Sequence, residues 1–463
     1  MPILNRYLLT RACWTIFFAS CLGRGEDIAF VHVAVIPMNS NYMLSDQTVL
    51  VSKETIRRIA PSTEVRIVPG IRRIDGSGAF LIPGLCDMHV HFALPALHPS
   101  DYESLNKKYS LQLLASGITT VRNMRGFPEL LALRADIESG AVIGPQIYST
   151  GPGNNGGSSV WSFDRKVETA ADARNAVSED RSRGYDAIKV FSSLSTGAYQ
   201  HLLEAARIAG LPVYGHVPHA VALAGVLNER QNSIEHLSGY LYAIQPFHAE
   251  GRAASMLPVF RDFAGHYDAR TLRSVAEATR DAGTWNCPTL ILLRTLYTRW
   301  QAIPATLTRV GTMRPEPFPD CLNTSTIIDL QPFELADDRF PLVVVKALHE
   351  NGARLLVGTD ADGTYVVHGP SIHDELSLLV AAGLTPYEAL RAATANAAEF
   401  LGKDGEFGTI AAGKVANLIL LAGDPLVDIG NANRQIGVMV RGRWFTRQDI
   451  NQLLKRSGFI ARK

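Results

Sequence analysis

The chain has 463 residues, and its 45 Lys and Arg residues nearly balance 44 Asp and Glu residues. At ~150 residues per domain this length corresponds to about three units, or to one α/β barrel of ~250 residues with an accessory domain. Hydrophobic residues make up 46% and charged residues 19%, which supplies a large core and excludes intrinsic disorder. With a net charge of +1 and no dense Lys/Arg block, the sequence argues against nucleic acid as a partner.

The first 25 residues are typical of an export signal. Arg6 and Arg11 charge the front of the segment, and an apolar run covers residues 12–22. This run is shorter than the ~20 apolar residues that a membrane span needs, so no transmembrane helix is expected here. We expect an exported protein, periplasmic, secreted or lipid-anchored, with residues 1–25 as a signal peptide. Cys21 closes a segment that resembles a lipoprotein processing site, so lipidation and simple cleavage are both open.

Two β-rich stretches flank a central region of alternating strands and helices. Residues 26–83 contain short strand-like segments separated by turns, and residues 402–463 contain a second such stretch. Each stretch is too short to bury a sheet face alone, so we expect one small β-sandwich-like accessory domain built from both chain ends. Between them, residues 84–401 alternate short apolar strands with helical segments, which is the signature of a parallel sheet.

The central region contains the eight strands that a closed (β/α)8 TIM barrel needs. They are Gly84 to His89, Thr119 to Asn123, Gln146 to Thr150, Ala187 to Phe191, Pro212 to His216, Ser233 to His236, Trp285 to Thr289 and Arg354 to Thr359. Helical patterns include Tyr102 to Ser116, Ala170 to Arg183, Gly197 to Ala209, Arg270 to Ala282, Ser371 to Ala382 and Pro386 to Leu401. The sequence therefore predicts an α/β fold with the barrel at residues 84–401.

The sharpest local motif is Asp87-Met88-His89-Val90-His91 at the end of the first predicted barrel strand. On an extended chain alternate residues share a face, so His89 and His91 can point at one cation while Asp87 supports them from behind. Two unrelated polar side chains at a strand end would give the same pattern.

Further ligand-type residues lie at the ends of other predicted strands. Lys189 lies in an otherwise apolar strand, where an unpaired ammonium is costly, so it must reach solvent or be chemically neutralised. His216, His236 and Asp360 each close or follow a strand. The carboxyl ends of barrel strands are where barrel enzymes place their active sites. This convergence predicts a metal site with nitrogen and oxygen ligands.

The order of these residues resembles the amidohydrolase superfamily, within its imidazolonepropionase and prolidase-like branch. His-x-His follows the first strand, Lys the fourth, His the fifth and the sixth, and Asp the eighth. The similarity extends from the segment at residues 80–85 to the segment at residues 408–418, so it covers nearly the whole chain after the signal.

The resemblance implies a role for each ligand-type residue. His89 and His91 would bind the more buried of two divalent metal ions. His216 and His236 would bind the second ion. Lys189, modified by carbon dioxide to a carbamate, would bridge the two ions, and Asp360 would be both a ligand and the proton shuttle. Imidazole and carboxylate ligands favour zinc, with manganese and cobalt open.

We expect a hydrolase that cleaves a carbon–nitrogen amide bond in a small-molecule substrate, a dipeptide or an N-acyl amino acid. Arg122, Tyr240 and His368 are candidates for substrate contact, although the first two could equally brace the rim. A cyclic amide or lactone hydrolase is an alternative, because the same hydroxide attacks those carbonyls. From another class, a catalytically inactive metal-binding barrel is open, and Asp360 argues against it because binding needs no proton shuttle. A homo-oligomer is also open.

Overall fold

The computed structural model describes residues 27–157, 163–244, 267–297, 339–361 and 366–458. The predicted signal peptide at residues 1–25, with Cys21, lies outside the described residues, so export and lipidation stay predictions. Within the described ranges, no helix is both long enough and apolar enough to cross a bilayer.

The described secondary structure begins and ends with strands of one sheet and has a strand and helix alternation between them. The strands are β1 (Ile28–Val35), β2 (Leu44–Ser52), β3 (Thr55–Pro61), β4 (Arg72–Asp75), β5 (Phe80–Pro83), β6 (Leu85–Val90), β7 (Ile118–Asn123), β8 (Gln146–Asn155), β9 (Arg165–Lys166), β10 (Ala187–Val190), β11 (Val213–Gly215), β12 (Ser233–Glu235), β13 (Trp285–Cys287), β14 (Arg354–Leu355), β15 (Leu418–Leu421), β16 (Gln435–Val440) and β17 (Arg443–Thr446). The helices are α1 (Tyr102–Ala115), α2 (Pro128–Glu138), α3 (Ala170–Arg183), α4 (Thr196–Ala209), α5 (Ala222–Asn228), α6 (Tyr240–Ile244), α7 (Ala269–Ala282), α8 (Leu290–Tyr297), α9 (Phe340–Glu350), α10 (Ser371–Ala381), α11 (Pro386–Ala392), α12 (Ala395–Phe400) and α13 (Arg447–Arg456).

Strands from both chain ends form one sheet with the order β17-β16-β15-β5-β1-β2-β3, and β4 pairs with β1. β5 and β15 are antiparallel, with Leu81 opposite Leu420, and this pairing joins the two ends of the chain. Phe30 and Trp444 meet edge-on in its core, with ring centroids 5.1 Å apart. The expected union of the β-rich ends is confirmed, whereas the predicted domain boundaries stay predictions.

The second described sheet is parallel, with the order β14-β13-β12-β11-β10-β8-β7-β6 and the short β9 beside β8. Most residues of its strands are buried, as expected when both faces of a parallel sheet are covered. Met88 N donates to Val357 O at 2.8 Å, and Asp360 N donates to His89 O at 2.8 Å. These bonds join the chain after β14 to β6 and give the predicted barrel arrangement.

The predicted helices match the structure to within one residue at each end, except for one. α3 has the predicted bounds, because Thr169 forms a capping box with Asp172 and Gly184 ends the helix with φ 83°. The predicted helix from Pro386 to Leu401 is instead divided into α11 and α12. Between them Ala393 O accepts a hydrogen bond from Cys86 N of β6 at 2.7 Å. This carbonyl therefore bonds to a barrel strand, and the helix is interrupted here.

Candidate metal centre

The predicted ligands at the ends of β6 and β14 lie in direct contact. The Oδ1 atom of Asp360 is 3.3 Å from His89 Nε2 and 3.0 Å from His91 Nε2. The two Nε2 atoms are 3.3 Å apart, and the ligand atoms of all three residues lie within 4.8 Å of one another. Asp360 Oδ1 has no hydrogen-bond partner in the described part of the chain. A divalent cation fits this set, because it would bind lone pairs that otherwise face each other.

The ligands predicted for a second ion adjoin the first three. The His236 ring is 4.5 Å from the His89 ring and 5.2 Å from the His216 ring, centroid to centroid. His236 Nδ1 is 3.9 Å from Asp360 Oδ2. The Lys189 Nζ atom lies 4.8 Å from the ring centroid of Phe191, and the same ring is 4.8 Å from that of His216. The structure therefore brings the predicted ligand residues together at one rim of the barrel.

A neighbouring oxygen holds each of three imidazoles through Nδ1. His89 Nδ1 lies 2.8 Å from a Glu235 carboxylate oxygen. His216 Nδ1 lies 2.9 Å from Ser192 Oγ, and His236 Nδ1 lies 2.8 Å from Thr289 Oγ1. Such contacts fix the ring orientation and leave Nε2 to bind a metal ion.

The strand ends at this rim require unusual backbone conformations. His236 and Asp360 have φ angles of 59° and 57°, in the left-handed region that L-residues rarely adopt. Gly215, just before His216, has φ 138°, and a Cβ atom there would lie 2.1 Å from Val190 O. Strain of this kind concentrates at functional sites, where the surrounding structure holds it in place.

Burial determines the protonation of the ligand side chains. Burial lowers the pKa of His89 and His216 well below the ordinary value and that of His236 to about 4. These imidazoles are therefore neutral near pH 7, the form that binds metal. Burial also lowers the pKa of the Lys189 amine to about 8, although Glu235 and Asp360 oppose this shift. An amine with this pKa is about one-tenth uncharged at pH 7.

Glu235 is the residue that the sequence analysis missed. Its carboxylate is fully buried, faces His89, and accepts two bonds of 2.9 Å from Arg122 Nη2 and one from Ser233 Oγ. Arg122 is only 1% exposed and bonds to Glu235, which is the bracing role that the sequence left open, and its contact with a substrate stays a prediction. The missed signal was a carboxylate inside a three-residue buried strand.

Asp87 bonds to the segment before Asp360, and the support of the His89 imidazole that the motif suggested for it comes from Glu235 instead. The Asp87 carboxylate accepts bonds from Thr359 N at 2.9 Å and Thr359 Oγ1 at 2.7 Å. Burial raises the pKa of this carboxyl to about 7, against the effect of these bonds. Asp87 therefore ties the segment before Asp360 to the strand that carries His89.

The other two predicted substrate contacts are also buried. Tyr240 is 0% exposed, and its hydroxyl bonds to Asn286 Oδ1 at 2.8 Å and to Thr279 Oγ1 at 3.0 Å. Its hydroxyl is thus engaged inside the fold, and its contact with a substrate stays a prediction. His368 is 3% exposed, stacks on Tyr109 with centroids 3.9 Å apart, and contacts His91 O at 2.9 Å. It supports the backbone of a ligand residue.

Comparison with known proteins agrees with this geometry. The sequence model of the amidohydrolase family matches residues 80–445. The chain belongs to the amidohydrolase family. This amidohydrolase is thus a hydrolase of carbon–nitrogen bonds from a metal-binding family, and the resemblance inferred from residue order is confirmed. No curated protein matches the sequence.

Solved structures of similar proteins cover most of the amidohydrolase chain. A prolidase candidate from Bifidobacterium longum is 25% identical, with a TM-score of 0.70 over 94% of this chain and 100% of that chain. Bottromycin amidohydrolase is 25% identical, with a TM-score of 0.70 over 94% of this chain and 91% of that chain. A Xaa-Pro dipeptidase with bound methionine is 19% identical and shares the fold, with a TM-score of 0.68 over 91% of this chain and 100% of that chain.

Proposed function

We propose that this amidohydrolase cleaves the amide bond of a dipeptide or an N-acyl amino acid, using two divalent metal ions with zinc as the expected metal. The observation that carries the proposal is the position of Asp360, which contacts His89 and His91 through one oxygen and faces His236 through the other. A site that only binds metal does not need a carboxylate between the His89 and His91 pair and His236. The similar prolidase candidate and bottromycin amidohydrolase favour amide chemistry.

His89, His91 and Asp360 would hold one metal ion, and His216 and His236 would hold the second. When bound, a pair of divalent cations supplies a hydroxide nucleophile near neutral pH, by lowering the pKa of water from ~15.7, and polarises a carbonyl.

Asp360 is placed to move the proton of the reaction. Its side chain is 12% exposed, whereas the His89 side chain is 0% exposed, so Asp360 faces the open side of the site. His91 and His236 face the same way, with side chains that are 21% and 16% exposed. The carboxylate of Asp360 would accept a proton from the nucleophile and donate it to the leaving nitrogen, which departs as an amine.

Lys189 is proposed to bridge the two metal ions as a carbamate. The uncharged amine nitrogen forms a bond to the carbon of carbon dioxide and releases one proton, and the new carbamate oxygens carry the negative charge. Two features favour this reaction: burial lowers the pKa of the amine to about 8, and the residue is only 1% exposed. The modification replaces a buried cation with an anion that two cations can balance.

The test is a panel of amides, cyclic amides and lactones offered to the purified, zinc-loaded enzyme. Hydrolysis of dipeptides or N-acyl amino acids, with metal bound at about two ions per chain by elemental analysis, supports the proposal. Turnover of lactones or cyclic amides alone would replace it with the alternative hydrolase. Bound metal without turnover of any compound would leave an inactive metal-binding barrel.

A further inference from the structure

Glu375 is a buried acidic residue on α10, the helix that follows Asp360 in the chain, and it is 0% exposed. One of its carboxyl oxygens accepts a hydrogen bond from Leu290 N at 2.9 Å, and the other accepts one from Ile291 N at 2.7 Å. A buried carboxyl group is costly unless it is hydrogen-bonded, so these two bonds define its structural role.

The two N–H groups that bond to Glu375 are the first two of α8. They have no partner inside that helix, because the first N–H groups of an α-helix point out of its end. Each bonds to a separate oxygen of one carboxyl group, so Glu375 fixes both the position and the direction of the start of α8. Only residues 288–289 separate this start from the end of β13. The position of Thr289 therefore depends on where Glu375 holds α8.

Thr289 has an unfavourable backbone conformation. Its φ angle is 47°, in the left-handed region that β-branched residues rarely adopt, and the residue is 0% exposed. A conformation of this kind persists only where the surrounding structure holds it in place. β13 restrains Thr289 on one side, and the bonds from Glu375 to the next two residues restrain it on the other.

The hydroxyl of Thr289 carries this restraint to the metal centre. Its Oγ1 atom lies 2.8 Å from His236 Nδ1, and His236 N donates to Cys287 O at 3.0 Å. The oxygen that contacts Nδ1 sets the direction in which the other ring nitrogen points. A displacement of the start of α8 would move Thr289 Oγ1, and the His236 ring would lose the partner that orients it.

We propose that Glu375 is a positioning residue of the metal centre, which orients His236 through Thr289. The inference rests on the proposed function, because it takes His236 as a metal ligand. It extends the centre to α10, although the carboxyl group of Glu375 bonds to no ligand side chain in the described part of the chain. The competing explanation is that Glu375 only caps α8 and stabilises the fold.

A double-mutant cycle on zinc affinity distinguishes the two explanations. Glu375→Gln keeps the size of the side chain but replaces one hydrogen-bond acceptor with a donor that faces an N–H group. Thr289→Val keeps the β-branched shape and removes the hydroxyl that contacts His236. The zinc dissociation constants of the two single variants, the double variant and the unaltered enzyme are measured by competition with a chelator.

The proposal predicts that the effects of the two substitutions are coupled. Thr289→Val should weaken the affinity for one of the two zinc ions about 10- to 100-fold, as for loss of a group that orients a metal ligand. Glu375→Gln should weaken the affinity for the same ion about tenfold. In the Thr289→Val background its further effect should be less than about threefold, because the hydroxyl through which it acts is absent.

Glu388→Gln is the matched control. Glu388 caps α11 as Glu375 caps α8, and its Oε2 atom accepts bonds from Thr385 N at 2.8 Å and Thr385 Oγ1 at 2.7 Å. It faces His349 at 3.5 Å rather than a predicted metal ligand. This substitution should leave the zinc affinity unchanged. Denaturant unfolding of all variants checks that each is folded where zinc binding is measured.

Zinc binding requires no substrate, so the inference and the proposed function can fail separately. Coupled losses of zinc affinity support the inference even if no amide is hydrolysed. Unchanged zinc affinity in Glu375→Gln, or an equal effect of this substitution with and without the Thr289 hydroxyl, overturns it even if amides are hydrolysed. If the unaltered enzyme binds one ion only, the two-ion centre fails, and the same comparison on that ion decides the inference. An unaltered enzyme that binds no zinc would overturn both.

Discussion

Glu235 and His89 face each other at 2.8 Å, and both side chains are 0% exposed. The carboxylate lies on the side of the imidazole away from Asp360, so it fixes the ring with Nε2 toward the other ligands. Arg122 balances its charge at 2.9 Å. A buried chain of guanidinium, carboxylate and imidazole therefore orients one metal ligand.

Glu235→Gln should weaken metal binding without removing a ligand. The amide keeps the shape of the side chain but removes the charge that balances Arg122, and breaking a buried pair in this way costs about 3–5 kcal/mol. Loss of the carboxylate behind a metal-binding imidazole should reduce zinc affinity about 10- to 100-fold. Zinc competition with a chelator and denaturant unfolding measure the two effects.

The matched control is Glu399→Gln, which changes an exposed ion pair with Arg354 at 3.1 Å. Exposed pairs contribute about 0–1 kcal/mol, so stability and zinc affinity should stay close to those of the unaltered enzyme. Equal effects of the two substitutions would show that Glu235 has no special role in metal binding.

The closeness of the predicted ligand residues could be inferred from the sequence because it depends on local periodicity. His89, His91 and Lys189 sit at the ends of strands whose apolar residues mark their position, and a TIM barrel brings such ends together. Glu235 could have been singled out by the argument used for Lys189, because a charged residue in a buried strand needs a partner. Its partner Arg122 lies 113 residues away in sequence, so the pairing needed the three-dimensional structure.

The environment of Tyr240 was left open by the sequence. The residues before it, His236, Leu237 and Gly239, have φ angles of 59°, 52° and 82°, which reverse the direction of the chain after β12. The tyrosine therefore turns away from the rim and bonds to Asn286. Of these three residue types, only glycine commonly adopts a positive φ, so the sequence does not reveal the turn at His236 and Leu237.

Gly215→Ala should disrupt the strand that carries His216. The added Cβ would lie 2.1 Å from the backbone oxygen of Val190, which cannot move without breaking the β10 and β11 pairing. Gly210→Ala is the control, since it has a left-handed φ of 68° but nothing within 4 Å, and should cost only about 1–2 kcal/mol. We expect a clearly larger loss of unfolding free energy, with loss of bound zinc, for Gly215→Ala. Similar losses in both variants would contradict the steric argument.

The buried carboxyl of Glu375 should make stability fall as pH rises. Burial raises its pKa from 4.5 to about 8, against the hydrogen bonds that it accepts from Leu290 N and Ile291 N at 2.9 and 2.7 Å. Between these values the folded state binds more protons than the unfolded state, so the free energy of unfolding decreases with pH. Glu375→Gln should lower stability by about 1–3 kcal/mol through a lost hydrogen bond but flatten its slope between pH 5 and 8. Denaturant unfolding at several pH values measures the slope, and an unchanged slope would exclude Glu375 as its source.

Lys189→Met should reduce the metal content of the enzyme. Methionine preserves the apolar packing against Phe191 but cannot form a carbamate, so the proposed bridge between the two metal ions is lost. Elemental analysis after loading with zinc and bicarbonate should fall from about two ions per chain to one or fewer. In the unaltered protein, ¹³C-bicarbonate should give a carbamate signal that is absent from the variant. Two ions in Lys189→Met would refute the bridging role.

Asp360→Asn separates catalysis from metal binding. The amide oxygen would remain a weak ligand, and His89, His91, His216 and His236 are unchanged, so the variant should keep at least one metal ion. Its basicity is gone, and loss of a general acid/base lowers turnover by about 10²- to 10⁴-fold, with a much smaller change in KM. Steady-state kinetics on the best amide of the panel, with metal content measured on the same sample, tests this expectation. A variant that keeps its metal and more than a tenth of the original kcat would remove Asp360 from the proton path, because no other change in the site accompanies the substitution.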